Sequence, residues 1–136
     1  MLPCGVLHHT PRILIVDDEP GIRKLLDAAF KREGYEVRVA ANGPEAMTAC
    51  ESQSFDVLLS DVKMPGGVNG HQLVRWVVAR APATRFVLMS GFDDVQCETC
   101  ALAPEPCSVL PKPFLPKVAV ELVNGILGYV RISCVA

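Results

Sequence analysis

Short apolar runs alternate with amphipathic stretches along most of the chain. The first run, residues 12–16, carries Ile-Leu-Ile-Val without interruption, and further strand-like segments lie at 35–40, 55–60, 85–89 and 108–110. Continuous apolar runs are typical of parallel strands that are covered on both faces. Between them, apolar residues recur at helical spacing in segments that begin near Pro20, Asn42 and Leu73. The same spacing is weaker at 93–102 and returns at 118–127. The pattern predicts five strand–helix units and therefore an α/β fold with a doubly wound parallel sheet.

Length and composition fit one domain with a substantial core. The chain has 136 residues, of which 50% are hydrophobic and 21% charged, within the usual range for a globular domain. We expect the domain to span residues 12–130, between loosely held tails at 1–11 and 131–136.

Charge and cysteine content exclude several classes of function. The formal net charge of −2 argues against a chain that mainly grips nucleic-acid phosphates, and there is no polybasic segment for a membrane surface. No apolar run approaches the roughly 20 residues of a membrane span, and residues 1–10 do not resemble a signal peptide. We therefore expect a cytoplasmic protein in which the six cysteines are reduced thiols.

Polar residues follow four of the predicted strands. Asp17 and Asp18 come after the first, Asp61 after the third, Ser90 after the fourth and Lys112 after the fifth. In a doubly wound sheet, ligands bind beyond the carboxyl ends of the strands, where the strand order reverses. The sequence therefore predicts that three carboxylates, a hydroxyl and an ammonium share one rim.

The three carboxylates indicate a metal site. Carboxylates that converge in a cleft raise one another's pKa unless a cation joins them. Oxygen ligands favour Mg²⁺, and the rim has no His/Cys cluster that would favour zinc. A carboxylate in such a site can attack phosphorus and carry an aspartyl phosphate, while a lysine and a hydroxyl hold the phosphoryl oxygens.

Four segments resemble the receiver domain of two-component response regulators. They are Ile-Leu-Ile-Val-Asp17-Asp18-Glu, Leu-Leu-Ser-Asp61-Val-Lys-Met-Pro, Met-Ser90-Gly and Lys112-Pro-Phe. The spacings from 18 to 61, 61 to 90 and 90 to 112 are 43, 29 and 22 residues. The resemblance implies a flavodoxin-like (βα)5 fold with strand order 2-1-3-4-5.

The resemblance also implies roles at the metal site. Asp61 corresponds to the phosphoacceptor. Asp18 corresponds to a direct Mg²⁺ ligand, and Asp17 to a residue that acts on the ion through water. The backbone carbonyl of Lys63 corresponds to the third protein ligand.

A second group of positions corresponds to the family's conformational switch. Ser90 matches the hydroxyl that moves onto the phosphoryl group, and Lys112 matches the lysine that pairs with it. Pro113 matches a proline that commonly follows a cis peptide bond. Receivers usually carry an aromatic residue three positions before the lysine, where this chain has Val109, so the resemblance does not extend to the usual ring rotation.

The implied function is a signalling switch with no enzymatic activity beyond its own phosphorylation and slow dephosphorylation. The donor would be a histidine kinase or a histidine phosphotransfer protein, and the output would be binding to a protein. The loop at 64–70 and the segment at 104–106 resemble receivers of hybrid sensor kinases.

Three alternatives remain open. A pseudo-receiver would bind partners without taking up phosphate. An Mg²⁺-dependent aspartate phosphatase typically has Asp-x-Asp at its nucleophile, which Asp61-Val62-Lys63 lacks. An FMN carrier would need a phosphate-binding loop after the first strand, where acidic residues would repel phosphate.

Three cysteines and one histidine could bind a metal or react, but we expect them to have structural roles only. Cys97, Cys100 and Cys107 lack a fourth ligand with suitable spacing for a metal, so apolar packing is expected. His71 begins a helix next to the rim, and we expect it to lie at the surface.

Overall fold

The computed structural model describes residues 10–64, 66–91 and 108–129. Their elements, in chain order, are β1 (Arg12–Val16), α1 (Pro20–Arg32), β2 (Glu36–Ala40), α2 (Gly43–Ser52), β3 (Val57–Asp61), α3 (Gly70–Arg80), β4 (Arg85–Ser90), β5 (Ser108–Pro111) and α4 (Pro116–Leu127). A predicted helix at 93–102 lies outside the described residues, as do most of the predicted tails.

The five strands form one parallel sheet in the order β2-β1-β3-β4-β5, as predicted. In the register of β1 and β3, Val16 lies opposite Ser60, so the residues that follow both strands emerge at the same edge. The order reverses at β1, because β2 lies on one side of it and β3 on the other. This topology brings the acidic residues of the two strands together.

The sheet separates two apolar clusters, and this explains the unbroken apolar runs in the sequence. Ile13 and Ile15 of β1 belong to the cluster on the side of α1 and α4, whereas Leu14 and Val16 belong to the cluster on the side of α2 and α3. All four side chains are fully buried. A strand whose alternate residues face two cores has no solvent-facing position at which a polar residue is favoured.

Local signals in the sequence define the helix ends. The side chain of Asn42 accepts a hydrogen bond of 2.9 Å from the Glu45 N–H at the start of α2. At the start of α3, Asn69 and Gln72 form a reciprocal capping box. Gly34 has a φ of 98° just beyond α1, a conformation that glycine adopts without strain.

Helix α3 connects the carboxyl edge of the sheet to its opposite edge. It begins at Gly70, whose N–H donates to the carbonyl of Val62, and near its other end the guanidinium of Arg80 lies 4.2 Å from the ring centroid of Trp76. Among the described residues, no helix has the length and apolar content needed to cross a membrane.

Candidate phosphoryl-transfer and metal site

Three carboxylates lie together at the carboxyl edge of the sheet. Asp17 and Asp18 directly follow β1, and Asp61 is the last residue of β3. One oxygen from each carboxylate lies within 4.8 Å of the others. Asp17 and Asp61 are buried, whereas Asp18 is exposed. The predicted clustering of these side chains is therefore present.

This arrangement fits a hard divalent cation. The possible metal-ligating atoms of the cluster are all carboxylate oxygens. Such ligands suit Mg²⁺ better than a metal that prefers nitrogen or sulfur. The exposed side at Asp18 leaves room for water and phosphate oxygens, which Mg²⁺ keeps in its coordination sphere. The residues present thus fit the ion that the sequence predicts.

The buried Asp17 is held through its side chain and its backbone. Oδ1 accepts a hydrogen bond of 2.9 Å from the N–H of Glu19, and Oδ2 lies 3.4 Å from Nζ of Lys112. The N–H of Asp17 donates to the carbonyl of Ala40, and the carbonyl of Asp17 accepts a bond of 2.7 Å from Arg23. These contacts fix the turn that carries the acidic pair.

Lys112 connects β5 to the acidic cluster. Its Nζ lies 3.1 Å from Oδ2 of Asp61, and the side chain is 20% exposed. Its backbone N–H donates to the carbonyl of Ser90 at 2.8 Å. The Lys112–Pro113 peptide bond is cis, which confirms that prediction.

Burial and pairing act in opposite directions on the two charged groups. Burial raises the pKa of Asp61, and the charges of Asp17 and Asp18 raise it further, so that it stays above its ordinary range although Lys112 lowers it. Burial alone would lower the pKa of Lys112, but the hydrogen bond and the charge of Asp61 outweigh it, and the pKa is raised. Without a bound cation, the surroundings therefore disfavour the charged form of Asp61 and favour the charged form of Lys112.

Two further predicted residues lie at the same edge, at or beyond the carboxyl ends of β4 and β3. Ser90 is buried at the end of β4, one position beyond Met89, which is the register partner of Asp61. Its hydroxyl donates to the carbonyl of Gly91 at 3.2 Å. Lys63 is exposed in the loop after β3. Val109, at the position that is usually aromatic, is 41% exposed.

The predicted surface position of His71 is wrong. The residue is only 8% exposed, and its Nδ1 is buried without a hydrogen-bond partner among the described residues. His71 precedes Val74 by one helical turn, so it shares the buried side of α3. The three cysteines at 97, 100 and 107 lie outside the described residues.

Two features of the site have no counterpart in the predictions. Arg23 resembles an ordinary surface charge of an amphipathic helix, although its separation of six residues from Asp17 allows it to reach back over the turn. Gly43 lies directly against Val68 of the loop after β3. Sequence alone gives little indication of either contact, because one involves a backbone carbonyl and the other the absence of a side chain.

Comparison with known proteins identifies the family. The sequence profile described as "Response regulator receiver domain" matches residues 13–124. The chain belongs to this family. This receiver domain is 35% identical over 105 residues to the transcriptional activator protein PfeR of Pseudomonas aeruginosa, and the aligned residues make up 77% of this chain and 34% of PfeR. It is 32% identical over 117 residues to the DNA-binding transcriptional regulator NtrC of Escherichia coli, and the aligned residues make up 86% of this chain and 25% of NtrC.

The chain thus spans about a quarter to a third of the length of these two relatives. Among solved structures, the receiver domain is similar to the chemotaxis response regulator CheY4 of Vibrio cholerae, with a TM-score of 0.76, 28% identity, and coverage of 88% of this chain and 100% of CheY4. It is also similar to TrrA of Thermotoga maritima in complex with Mg(2+)-BeF, with a TM-score of 0.75, 29% identity, and coverage of 87% and 100%.

Proposed function

We propose that this receiver domain, residues 12–130, accepts a phosphoryl group on Asp61 from a phosphohistidine of a histidine kinase or a histidine phosphotransfer protein. The observation that carries the proposal is the buried Asp61 carboxylate, which lies beside two further carboxylates and 3.1 Å from the Lys112 ammonium. The similarity to TrrA, solved with Mg(2+)-BeF, supports Mg²⁺ as the cofactor.

In the proposed reaction, a carboxylate oxygen of Asp61 attacks the phosphorus atom. The new O–P bond forms as the N–P bond of the phosphohistidine breaks, and the electron pair of that bond returns to the imidazole nitrogen. When bound, Mg²⁺ would neutralise charge on the phosphoryl oxygens. Asp18 would bind the ion directly, Asp17 through water, and the backbone carbonyl of Lys63 as the third protein ligand.

Lys112 and Ser90 would respond to the new phosphoryl group. Lys112 is paired with Asp61 before the reaction. Its ammonium is therefore already in the site and can change partner from the carboxylate to a phosphoryl oxygen. Ser90 would turn its hydroxyl from the carbonyl of Gly91, which now accepts it at 3.2 Å, toward the same group. Both movements favour one of two conformations of the domain.

The output that we propose is binding of a protein partner in the cytoplasm. The net charge of −2 favours a protein surface over nucleic acid for the contacts of this chain. The domain would act as a switch, and its only catalysis would be its own phosphorylation and slow dephosphorylation.

Incubation with acetyl phosphate and Mg²⁺, followed by intact-mass spectrometry, tests the proposal. We expect one phosphoryl adduct, stable in acid and labile in base, that is absent from Asp61→Asn and absent without Mg²⁺. An unmodified wild type would instead indicate a pseudo-receiver. Multiple turnover of free phosphomonoesters would indicate a phosphatase, and a yellow purified protein would indicate an FMN carrier.

A further inference from the structure

Arg23 links helix α1 to the peptide that joins the two acidic residues. It is the fourth residue of α1, and its guanidinium donates a hydrogen bond of 2.7 Å back to the carbonyl of Asp17. The Arg23 side chain is partly buried, and its backbone N–H donates to the carbonyl of Glu19 at 3.1 Å. Both ends of the residue therefore hold the turn between β1 and α1.

The position of this contact matters because a peptide unit is planar. The carbonyl of Asp17 and the N–H of Asp18 belong to one rigid plane, so a donor that fixes the carbonyl also fixes the direction in which Asp18 leaves the strand. Asp17 is fully buried, and a buried carbonyl requires a donor. The side chain of Asp17 is held separately, by Glu19 and Lys112.

We propose that Arg23 is a positioning residue for the metal site, which acts by orienting the Asp17–Asp18 peptide. The role of Arg23 in phosphorylation rests on the proposed function, whereas its effect on Mg²⁺ affinity can be measured without it. Asp18 is exposed and lies at the open side of the cluster, so its alignment depends on its backbone more than on surrounding side chains.

Two effects of Arg23 on a cation have opposite signs, which makes the inference testable. Its positive charge near three carboxylates opposes the binding of Mg²⁺, so loss of the charge alone would tighten binding. Loss of the hydrogen bond releases the peptide and would weaken binding. Lys24, the next residue, is exposed and has the same charge, so Lys24→Ala removes one charge without removing the contact.

The experiment is calorimetric titration of the full chain with MgCl₂ alone, for wild type, Arg23→Ala, Arg23→Lys and Lys24→Ala. We expect the dissociation constant of Arg23→Ala to rise about tenfold, the lower end for groups that orient metal ligands. Arg23→Lys, which keeps one donor, should lie between wild type and Arg23→Ala. Lys24→Ala should bind at least as tightly as wild type. Mg²⁺ binding by both Arg23 variants at wild-type affinity or tighter would overturn the inference.

Thermal unfolding separates positioning from a general loss of structure. A merely structural role would lower the melting temperature of Arg23→Ala and leave the Mg²⁺ affinity of the folded protein unchanged, which would also overturn the inference. If Arg23→Ala does not fold, Arg23→Lys carries the test against wild type.

Phosphorylation by acetyl phosphate at increasing Mg²⁺ then separates the inference from the proposed function. We expect Arg23→Ala to require about tenfold more Mg²⁺ for half-maximal rate, with the maximal rate nearly unchanged. An unmodified wild type that binds Mg²⁺ would refute the proposed function alone. A modified wild type with the same Mg²⁺ dependence as Arg23→Ala would refute the inference alone.

Discussion

Replacement of Gly43 by alanine should destabilise the domain through a single steric contact. Gly43 is buried at the start of α2, where a Cβ would lie 2.6 Å from both Cβ and Cγ1 of Val68 and 3.3 Å from its carbonyl oxygen. The φ of Gly43 is outside the left-handed region, so alanine meets no backbone strain. Any loss of stability must therefore come from the contact with the loop after β3.

The size of the effect follows from the distance. The added methyl group would lie 0.8 Å closer to Val68 than the 3.4 Å at which ordinary van der Waals contact begins. The loop cannot move away freely, because Val62 N–H donates to Met89 and Gly70 N–H donates to Val62. Overpacking of this kind costs about 1–3 kcal/mol. Alanine also favours the helix more than glycine does, by about 1 kcal/mol in a helix interior and by less at the first helical position.

Urea unfolding of Gly43→Ala, compared with a matched glycine elsewhere, checks this reasoning. Gly125 lies in α4, where a Cβ added to it would have no atom of the described residues within 4 Å beyond its own helix backbone and chain neighbours. Gly125→Ala should therefore stabilise the domain by about 0.5–1 kcal/mol. Gly43→Ala should lose about 1–3 kcal/mol. Equal gains in the two variants would refute the steric argument.

A second substitution tests whether Val68 is the obstacle. On the Gly43→Ala background, Val68→Gly removes both close carbon atoms, whereas Val68→Ala leaves the Cβ at 2.6 Å. The coupling energy with Gly43→Ala should therefore be larger for Val68→Gly than for Val68→Ala. Coupling near zero for both would mean that the cost arises elsewhere.

Three further predictions concern the site and its support. Because the net effect of its surroundings, Lys112 included, is to raise the pKa of Asp61, Asp61→Asn should stabilise the Mg²⁺-free domain. In urea unfolding across pH, this gain should be absent well below about pH 4, where the carboxyl is protonated in both states. It should grow between the ordinary pKa of about 4 and the raised pKa of the native state, and level off above the raised pKa. Lys112→Ala should weaken the binding of beryllofluoride about 10- to 100-fold. Its Mg²⁺ affinity by calorimetry should be at least that of wild type, because the lost ammonium lies 3.1 Å from Asp61 and opposes the cation. A loss of Mg²⁺ affinity as large as that of Asp18→Ala would contradict the role of the lysine. Tyr35→Phe removes a hydrogen bond of 2.7 Å to Asn124 and should cost about 1–2 kcal/mol in urea unfolding, and an unchanged midpoint would show that the bond contributes nothing.

The sheet could be predicted from sequence because burial on both faces leaves a strong pattern. In β1, each successive apolar residue faces a different cluster, so the whole run must be apolar. The start of α2 at Asn42 is similarly accessible, because a side chain that caps a helix belongs to a small set of residue types. The start of α3 is not, because the apolar pattern indicates a beginning near Leu73 whereas the capping box places it at Gly70. The strand ends then placed the acidic residues at one edge.

The features that escaped prediction depend on contacts that residue type does not reveal. A histidine in the first turn of α3 resembles a surface residue until the helix is docked, and then His71 lies on the buried side. Arg23 acts on a backbone carbonyl, which every residue possesses. Gly43 matters through the space that it leaves for Val68. The roles of His71 and Gly43 arise only when segments distant in sequence pack together, whereas Arg23 reaches Asp17 across a separation of six residues.

The location of Trp76 gives the domain a built-in optical reporter. It is the single tryptophan of the chain, and it lies six residues beyond the start of α3, about 9 Å along the helix axis. Its indole is stacked with the Arg80 guanidinium, so its emission responds to the distal half of α3. A fluorescence change on addition of a phosphodonor would show that a chemical event at the carboxyl edge reaches the distal half of that helix. A constant emission would show that the surroundings of Trp76 stay unchanged.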